Sequence, residues 1–409
     1  MTSRSPDSSP PGTIAFVPPR FGPGVVGGAE AVMAEAAAGL AARGHDIEIL
    51  TTCATDHYTW ANDLAPGVED HDGITVRRFP TSTDTPGVHR RRIGERILAG
   101  EQVDIADQQL WVNDSLRVTG LWHHVLDNAA NYRALVFAPY LFWTTYAVGQ
   151  VAPAKTILMP CLHDEPMARL DIFATLIEGA RGIWFLTEPE ADLARSLYDL
   201  PPRQAVVGAG IEVPNGHDSD RFRRDYGIDQ PFVYYAGRRE WGKGWLDLLG
   251  AFGELVRTHP TDLLLVTSGV GELDVPTEFA DRVIDVGFLA DDQRDNAMAA
   301  ASAYVQPSAM ESFSRTVLES WAAGTVVVAN ADSAVVRWHI EKSGAGLAYR
   351  GQAELVEALR FVAEEPAAAA SLAVGGRSYV ESGFRWPDVL DRMELALNRW
   401  LPVGQPARA

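Results

Sequence analysis

Short apolar runs alternate along most of the chain with longer segments whose apolar residues recur at helical spacing. The first run is Thr13–Val17. A glycine-rich segment follows, and then a predicted helix from Gly28 to Arg43, which ends at Gly44 because glycine readily adopts positive φ. This alternation is typical of α/β units with parallel sheets, so we predict an α/β fold.

The predicted strands form two series. After the first strand, the first series continues at residues 46–51, 74–78, 135–138, 156–159, 182–186 and 205–208. The second series comprises residues 232–236, 263–267, 283–286, 303–306 and 325–329. Residues 212–230 between them are polar and interrupted by proline and glycine, which indicates a linker between two domains. Residues 386–400 have the apolar spacing of an amphipathic helix.

Length and charge narrow the class of protein. A chain of 409 residues fits two domains of roughly 200 residues each, and no apolar run approaches the roughly 20 residues that cross a bilayer. Residues 1–12 lack the order of a signal peptide, and we expect an unpacked tail there. The net charge of −19 disfavours nucleic acid as a partner, because an acidic surface repels phosphate backbones.

Cysteine and lysine are both rare. Cys53 and Cys161 are too few for a disulfide framework, so we expect buried thiols and a cytoplasmic protein. Lysine occurs only at positions 155, 243 and 342, against 32 arginines. A lysine inside a motif therefore suggests that a compact ammonium is required there.

The first motif is a glycine loop at residues 21–30, FGPGVVGGAE. It contains the spacing of a dinucleotide-binding fingerprint, so an NAD-dependent oxidoreductase is one alternative. However, residues 18–21 separate the glycines from the strand, and threonines occupy positions 51 and 52, where that fold needs an acidic residue. We interpret the loop as leading Gly27 and Gly28 into a helix N-terminus, whose N–H groups attract phosphate or sugar hydroxyls. A glycine-rich turn without function remains the other interpretation.

The second motif, AGRREWGKG at residues 236–244, again lies between a strand and a helix. It nearly matches the phosphate-binding loop of nucleotide triphosphatases, but Gly244 occupies the Ser/Thr position that would hold Mg²⁺. Arg238 and Lys243 are therefore candidates for binding phosphate without a metal ligand. The alternative is a pair of exposed loop cations.

The third motif is PSAMESFSRTVLESWAAG at residues 307–324. A strand ends at Pro307, and we predict that a helix begins near residues 312–314. Glu311 precedes this helix and Glu319 lies about two turns further on, on the same side. The N–H groups of residues 312–316 are predicted donors beside the positive end of the helix dipole. An acidic helix start with a solvated glutamate is the alternative.

The order of these three motifs resembles the retaining glycosyltransferases of family 4, which have the GT-B fold, from Ile14 to about Leu397. The resemblance implies an α/β protein with two Rossmann-like domains, a donor cleft between them and a C-terminal helix crossing back to the first domain. We place the acceptor-side domain at residues 1–212, the nucleotide-sugar-binding domain at 213–384 and the returning helix within 385–409.

The resemblance also implies roles for individual residues. Arg238 and Lys243 would hold the donor pyrophosphate, Glu319 would bind the ribose, and Glu311 would contact the sugar. Gly27 and Gly28 would face the transfer site, and His163 would contact the donor sugar. The remaining donor-binding residues implied by the family motifs are Gly269, Phe288, Leu289, Ser312, Phe313, Ser314, Arg315 and Thr316.

The third motif departs from the family's common form, EGFGLPxLE. Serines stand at positions 312 and 314, where that form has glycine, and Arg315 replaces an apolar residue. Arg315 either adds charge beside the leaving diphosphate or lies in solvent. The changes leave the identity of the sugar open.

Three further features allow more than one interpretation. The basic stretch at residues 89–96 either contacts an acceptor phosphate or an anionic membrane surface, or is a solvated helix face. Aromatic residues between Trp111 and Tyr146 either stack on an acceptor or fill the core. The string His163-Asp164-Glu165 contains potential metal ligands, but adjacent residues do not converge easily on one ion, so we predict no metal site.

The residues and the resemblance together predict retaining, metal-independent transfer of a hexosyl unit from a nucleotide-diphosphate sugar to a hydroxyl acceptor. The acceptor would be a glycan, a glycolipid or a small molecule, and no cofactor is expected beyond the donor. The alternatives are the NAD-dependent oxidoreductase and a non-catalytic protein that binds sugar nucleotides. The oligomeric state, the donor base and the linkage stay open.

Overall fold

The structure is a computed structural model that describes residues 12–82 and 87–402. All but the last residue of the tail expected at 1–12 lies outside the described residues. The chain divides into two compact units. The first contains the described residues up to Gly210 together with those from Trp386 onward, and the second runs from Ile211 to Arg385.

The first unit is built on a mostly parallel sheet. Its strands are β1 (Thr13–Val17), β2 (Ile47–Thr52), β3 (Gly67–His71), β4 (Ile74–Phe79), β5 (Tyr132–Phe137), β6 (Thr156–Leu158), β7 (Gly182–Phe185) and β8 (Gln204–Val206). In the described residues their order is β3-β4-β2-β1-β5-β6-β7-β8, and only β3 pairs antiparallel, with β4. The six strands from β4 to β7 thus follow the 3-2-1-4-5-6 order of doubly wound dinucleotide-binding folds.

Helices pack around this sheet. They are α1 (Gly28–Ala42), α2 (Val88–Leu98), α3 (Ile105–Asn113), α4 (Thr119–Asn128), α5 (Trp143–Val148), α6 (Asp171–Gly179), α7 (Glu188–Leu197) and the C-terminal helix α16 (Trp386–Trp400). Helix α16 packs on α1, where a Cβ atom on Gly39 would lie 2.6 Å from Leu390. Arg43 of the same region pairs with Glu394 at 2.5 Å. The expected return of the C-terminal helix to the first domain is confirmed.

The second unit has a fully parallel sheet. Its strands are β9 (Phe232–Ala236), β10 (Leu264–Ser268), β11 (Val283–Asp285), β12 (Ala303–Gln306), β13 (Val327–Asn330) and β14 (Gly346–Tyr349). Their order is β11-β10-β9-β12-β13-β14, which is the same 3-2-1-4-5-6 arrangement. Both halves of the predicted α/β fold are therefore Rossmann-like.

The helices of the second unit correct one prediction. They are α8 (Ser219–Tyr226), α9 (Trp245–Thr258), α10 (Asp291–Ala300), α11 (Arg315–Ala322), α12 (Ala334–Ser343), α13 (Gly351–Glu364), α14 (Pro366–Ser371) and α15 (Val374–Gly383). Helix α8 lies inside the segment predicted as an irregular linker. It forms because Asp218 caps its first turn, Gly227 ends it in the left-handed conformation, and Phe222 is buried.

Each unit has its own core. Trp111 and Tyr140 are buried in the core of the first unit, and Trp122 and Tyr146 pack against it, so these aromatic residues fill the core.

Both cysteines are free and buried, as expected. Within the described residues, every helix is too short or too polar to cross a bilayer.

Candidate functional site

Three loops of the second unit meet at one edge of its sheet. Strands β10, β9 and β12 are neighbours, and their carboxyl ends lead into the loops that begin at Gly269, Gly237 and Pro307. Ligands of open α/β sheets bind outside the carboxyl ends of the strands, where the strand order reverses. That reversal lies at β9, which is followed by the predicted phosphate loop.

Glycine is required where these loops touch. Gly269 has φ 131°, and a Cβ atom there would lie 2.0 Å from the Gly237 carbonyl oxygen. Gly244 has φ 70°, and its Cβ atom would lie 2.5 Å from the Pro307 oxygen. The close backbone approach joins the second and third sequence motifs into one surface.

Lys243 and Glu311 are in contact on this surface. The Lys243 Nζ atom donates to Glu311 Oε1 at 2.8 Å, and the two side chains are 30% and 12% exposed. Arg238 lies on the same loop, is about one-third exposed and pairs with Glu240 at 3.3 Å. The loop therefore presents two cations, each paired with a carboxylate, and the partner of Lys243 belongs to the third motif.

The helix of the third motif begins at the end of the predicted range, 312–314. Helix α11 starts at Arg315, and Ser314 is its N-cap residue with φ 63° and ψ 65°. Ser312, Phe313 and Ser314 are buried. Residues 312–314 thus precede the helix, and the left-handed Ser314 turns the chain into it. The N–H groups that a helix start leaves without intrahelical acceptors belong to the turn that follows it.

A buried histidine supports this helix start. His339 on α12 donates from Nε2 to the Phe313 carbonyl oxygen at 3.1 Å, and its Nδ1 accepts from the Tyr379 hydroxyl at 2.9 Å. Acceptance at Nδ1 requires the neutral imidazole, whereas donation from Nε2 is open to both protonation states. Burial lowers the pKa of His339 to about 3, so the ring remains neutral at physiological pH.

Glu319 lies between two arginines. Its carboxylate oxygens are 3.3 Å from Arg294 Nη2 and 3.4 Å from Arg315 Nε. Glu319 is 9% exposed, and its Oε2 atom has no hydrogen bond. Burial and the nearby Glu319 raise the pKa of Asp295 to about 6. Glu319 is thus a buried acceptor flanked by two arginines, and Arg315 pairs with it rather than lying in solvent.

Residues 287–289 line the neighbouring strand end. The Gly269 N–H donates to the Gly287 carbonyl at 2.9 Å, which brings this turn beside the glycine loop. Phe288 is 62% exposed, whereas Leu289 is 4% exposed. The Phe288 ring is therefore accessible, whereas Leu289 packs inside the unit.

In the first unit, the glycine loop is organised by a buried ion pair. Arg20 binds Glu30 through Nη2 at 2.5 Å and also donates to the carbonyl oxygens of Val26 and Thr55. A Cβ atom on Gly27 would lie 2.2 Å from Glu30, whereas one on Gly28 would meet nothing within 4 Å. Gly27 is thus needed for close packing, and Gly28 faces open space.

His163 follows strand β6 on a loop with a buried anchor. Its side chain is 33% exposed, and its Nδ1 is 3.8 Å from Glu165. The buried Glu190 accepts from the Leu162 N–H at 2.7 Å and the Leu186 N–H at 2.6 Å. Burial raises the pKa of Glu190 to about 8, against the opposing effect of its N–H donors.

The two loops of the first unit are neighbours. Burial raises the pKa of the Cys161 thiol well above its usual value, and the nearby Glu190 and Glu30 act in the same direction. The thiol thus lies near carboxyl groups of both the glycine-loop side and the His163 loop.

Five residues that organise these loops were not singled out by the sequence. They are Arg20, Glu190, Arg294, Gln306 and His339. Only Glu190 had a local signal, because Thr187 and Glu190 have capping-box spacing and the Glu190 N–H bonds to Thr187 Oγ1. The others act through partners that are remote in the chain or lie across a turn.

The described residues contain no group of three or more His, Cys, Asp or Glu side chains arranged to hold a metal ion.

Residues 230–376 match the model of the family Glycosyl transferases group 1. A D-inositol 3-phosphate glycosyltransferase of Acidothermus cellulolyticus is 27% identical over 345 residues, which cover 75% of this chain and 71% of the relative. A glycogen synthase of Mycobacterium tuberculosis is 26% identical over 354 residues, which cover 78% of this chain and 84% of the relative.

Solved structures share the fold at low identity. Sucrose-phosphate synthase from Thermosynechococcus elongatus has a TM-score of 0.72 at 17% identity, covering 95% of this chain and 98% of that one. Anabaena HepE in complex with UDP-glucose has a TM-score of 0.69 at 16% identity, covering 95% and 99%. With two sheets of Rossmann order and the matches to glycosyltransferases along most of its length, the chain is a glycosyltransferase with the GT-B fold.

Proposed function

We propose that the protein transfers a hexosyl unit from a nucleotide-diphosphate sugar to a hydroxyl acceptor, with retention of configuration and without a metal ion, as family 4 enzymes do. The observation that carries the proposal is the contact at 2.8 Å between Lys243 and Glu311, which joins the phosphate loop to the helix motif. HepE, whose fold is similar, is known in complex with UDP-glucose, which supports a donor of this class.

The donor would lie along the strand ends of the second unit. Arg238 and Lys243 would bind the diphosphate, the first turn of α11 would add N–H donors, and Glu319 would accept from a ribose hydroxyl. The buried Glu319 Oε2 atom is 3.3 Å from Arg294 Nη2 but has no hydrogen bond, so it can accept one from such a hydroxyl. Glu311 would contact the sugar, and Phe288 would lie against the base.

Transfer requires stabilisation of the leaving diphosphate. As the bond to the sugar breaks, negative charge grows on the phosphate oxygens while the ring becomes oxocarbenium-like. Cations and N–H donors fixed before the reaction stabilise that charge without reorganising. The acceptor hydroxyl would attack from the face that the diphosphate leaves, which yields retention, and its proton would pass to the departing phosphate oxygen. His163, Gly27 and Gly28 would contribute from the first unit.

A donor screen tests the proposal. Purified protein should melt at higher temperature with one of the UDP-, GDP-, ADP- or dTDP-sugars than with free monosaccharide, because a ligand that binds only the native state stabilises it. The anomeric configuration of the hydrolysed or transferred sugar, read by NMR, should match that of the donor. An inverted product would overturn retention, and nicotinamide binding would favour the oxidoreductase alternative.

Metal independence has its own test. Donor turnover after dialysis against EDTA should equal that of untreated protein, because the diphosphate is proposed to be neutralised by Arg238 and Lys243. Loss of turnover that Mg²⁺ or Mn²⁺ restores would contradict this proposal. Donor binding without turnover, for any acceptor, would favour the non-catalytic alternative.

The basic stretch of α2 supports at most weak contact with an anionic surface or acceptor phosphate. Arg90 lies 4.3 Å above the Trp111 ring, and Arg96 pairs with Glu101 and Asp107. Arg91 and Arg92 are exposed. Sedimentation with vesicles containing anionic lipid should therefore retain little protein at physiological salt.

A further inference from the structure

Ser314 adopts a backbone conformation that favours glycine. Its φ of 63° and ψ of 65° lie in the left-handed region, which residues with a Cβ atom rarely occupy. Its side chain is buried, and it is the residue from which α11 begins. Something in this chain must compensate for the absence of glycine at this turn.

Gln306 makes the contact that does so. It is the last residue of β12 and is 6% exposed. Its Nε2 atom donates to Ser314 Oγ at 2.8 Å and to Thr316 Oγ1 at 3.4 Å. Its Oε1 accepts from the Ser308 N–H at 3.4 Å. One amide thus joins the strand end, the following loop, the N-cap and the first turn of the helix.

We propose that Gln306 is a positioning residue for transfer, which holds Ser314 in the left-handed conformation so that the first turn of α11 faces the phosphate loop. The inference rests on the proposed function, in which that first turn binds the diphosphate. In this proposal the Ser314 hydroxyl accepts from Gln306 and so stabilises the backbone turn, rather than contacting the sugar. With glycine at 314, the turn would form without Gln306.

Two substitutions at Ser314 form a matched pair. Ser314→Gly and Ser314→Ala both delete the hydroxyl, so any direct contact of that hydroxyl with the donor is lost equally. Only glycine adopts positive φ without steric cost. We expect Ser314→Ala to lower kcat/KM for the donor about tenfold relative to Ser314→Gly. Equal activity of the two variants would overturn the proposal.

Helix N-caps in general tolerate glycine better than alanine, so the pair needs a control. Ser333 is the N-cap of α12 in the same unit, has φ −73° and bonds to the Val336 N–H. Ser333→Gly and Ser333→Ala should differ less from each other than the two variants at Ser314. A difference as large at Ser333 would show that ordinary capping explains the result, against the proposal.

The role of Gln306 is tested by a double-mutant cycle. Gln306→Met removes the amide at similar volume, and we expect it to lower kcat/KM about tenfold in the wild-type background. In the Ser314→Gly background the same substitution should lower it about twofold or less, because the turn no longer needs the amide. An equal fold-loss in both backgrounds would show that Gln306 acts otherwise.

Thermal unfolding separates failure of this inference from failure of the proposed function. Ser314→Ala should melt about 2–4 °C below Ser314→Gly, and Gln306→Met should destabilise wild type more than it does Ser314→Gly. These differences in melting temperature do not depend on catalysis. If wild type turns over no nucleotide sugar but the melting orders hold, the proposed function fails and the conformational role of Gln306 stands.

Discussion

At the scale of single residues, function depends on charges held at short distance. Lys243 is one of three lysines in the chain, and its ammonium contacts Glu311 rather than standing alone on a loop. Its position was predictable from the phosphate-loop motif. Its partner was not, because 68 residues separate the two.

We expect Lys243→Ala to lower donor turnover by roughly 10²–10³, because a fixed cation at the leaving diphosphate is lost. Steady-state kinetics with the donor found in the screen would measure this. Lys342→Ala is the matched control, since that lysine is exposed at the end of α12 in the same unit. Similar turnover of the two variants would contradict the assignment of Lys243.

His339 makes stability depend on pH in a defined direction. Its pKa is lowered to about 3 in the folded protein. Between this value and the pKa of the unfolded chain, the histidine is protonated in the unfolded state and neutral in the native state. The histidine therefore contributes stability above the unfolded pKa of about 6.5, and this is lost as pH falls toward 3, by at most about 1.4 kcal/mol per pH unit.

Urea unfolding between about pH 4 and 7 would measure this dependence. The free energy of unfolding should decrease as the pH is lowered. In His339→Gln this dependence on pH should be weaker. The variant should also weaken donor binding at pH 7, because the bond to Phe313 is altered. A variant with the slope of wild type would show that His339 is not the group responsible.

At the scale of elements, the strand-to-helix turns decide where functional groups point. The periodic pattern predicted β9 and β12 at their observed bounds and the C-terminal helix at residues 386–400. It missed α8, whose short polar sequence has a single buried anchor, Phe222. It predicted the start of α11 near residues 312–314 but not the left-handed turn at Ser314, whose hydroxyl bonds to a residue of the preceding strand.

The loop that carries His163 should depend on its anchor. Glu190→Gln replaces one N–H acceptor with an amide donor, which conflicts with the Leu162 or Leu186 N–H. We expect kcat to fall about tenfold with little change in donor KM. In the His163→Ala background the same substitution should have a smaller effect, because the residue that it positions is absent.

Glu48→Gln is the control for this cycle. Glu48 is also buried and pairs with Arg77 at 3.0 Å. It lies near the amino end of β2, whereas the His163 loop follows the carboxyl end of β6 in the same sheet. The effect of Glu48→Gln on kcat should be the same in the wild-type and His163→Ala backgrounds. If Glu190→Gln behaved in this way, its role would be stability alone.

At the scale of the whole molecule, the net charge of −19 acts on both units. Self-repulsion of like charges destabilises a compact chain, and salt screens it. We expect the melting temperature to rise when NaCl increases from about 20 mM to about 200 mM at pH 7. Differential scanning fluorimetry would measure it, and an unchanged or lower melting temperature would count against repulsion as a significant cost.

The sequence by itself determined the α/β class, the two series of strands and the three motifs, because strand and helix periodicity and glycine spacing are local properties. It also singled out Arg238 and Lys243 as candidates for phosphate binding. The tertiary structure alone decided that Gln306 contacts Ser314, that His339 bonds to Phe313, and that Arg294 pairs with Glu319. The contacts of His339 and Arg294 join residues far apart in the chain, and the contact of Gln306 depends on a left-handed turn that carries a serine, so no spacing rule encodes them.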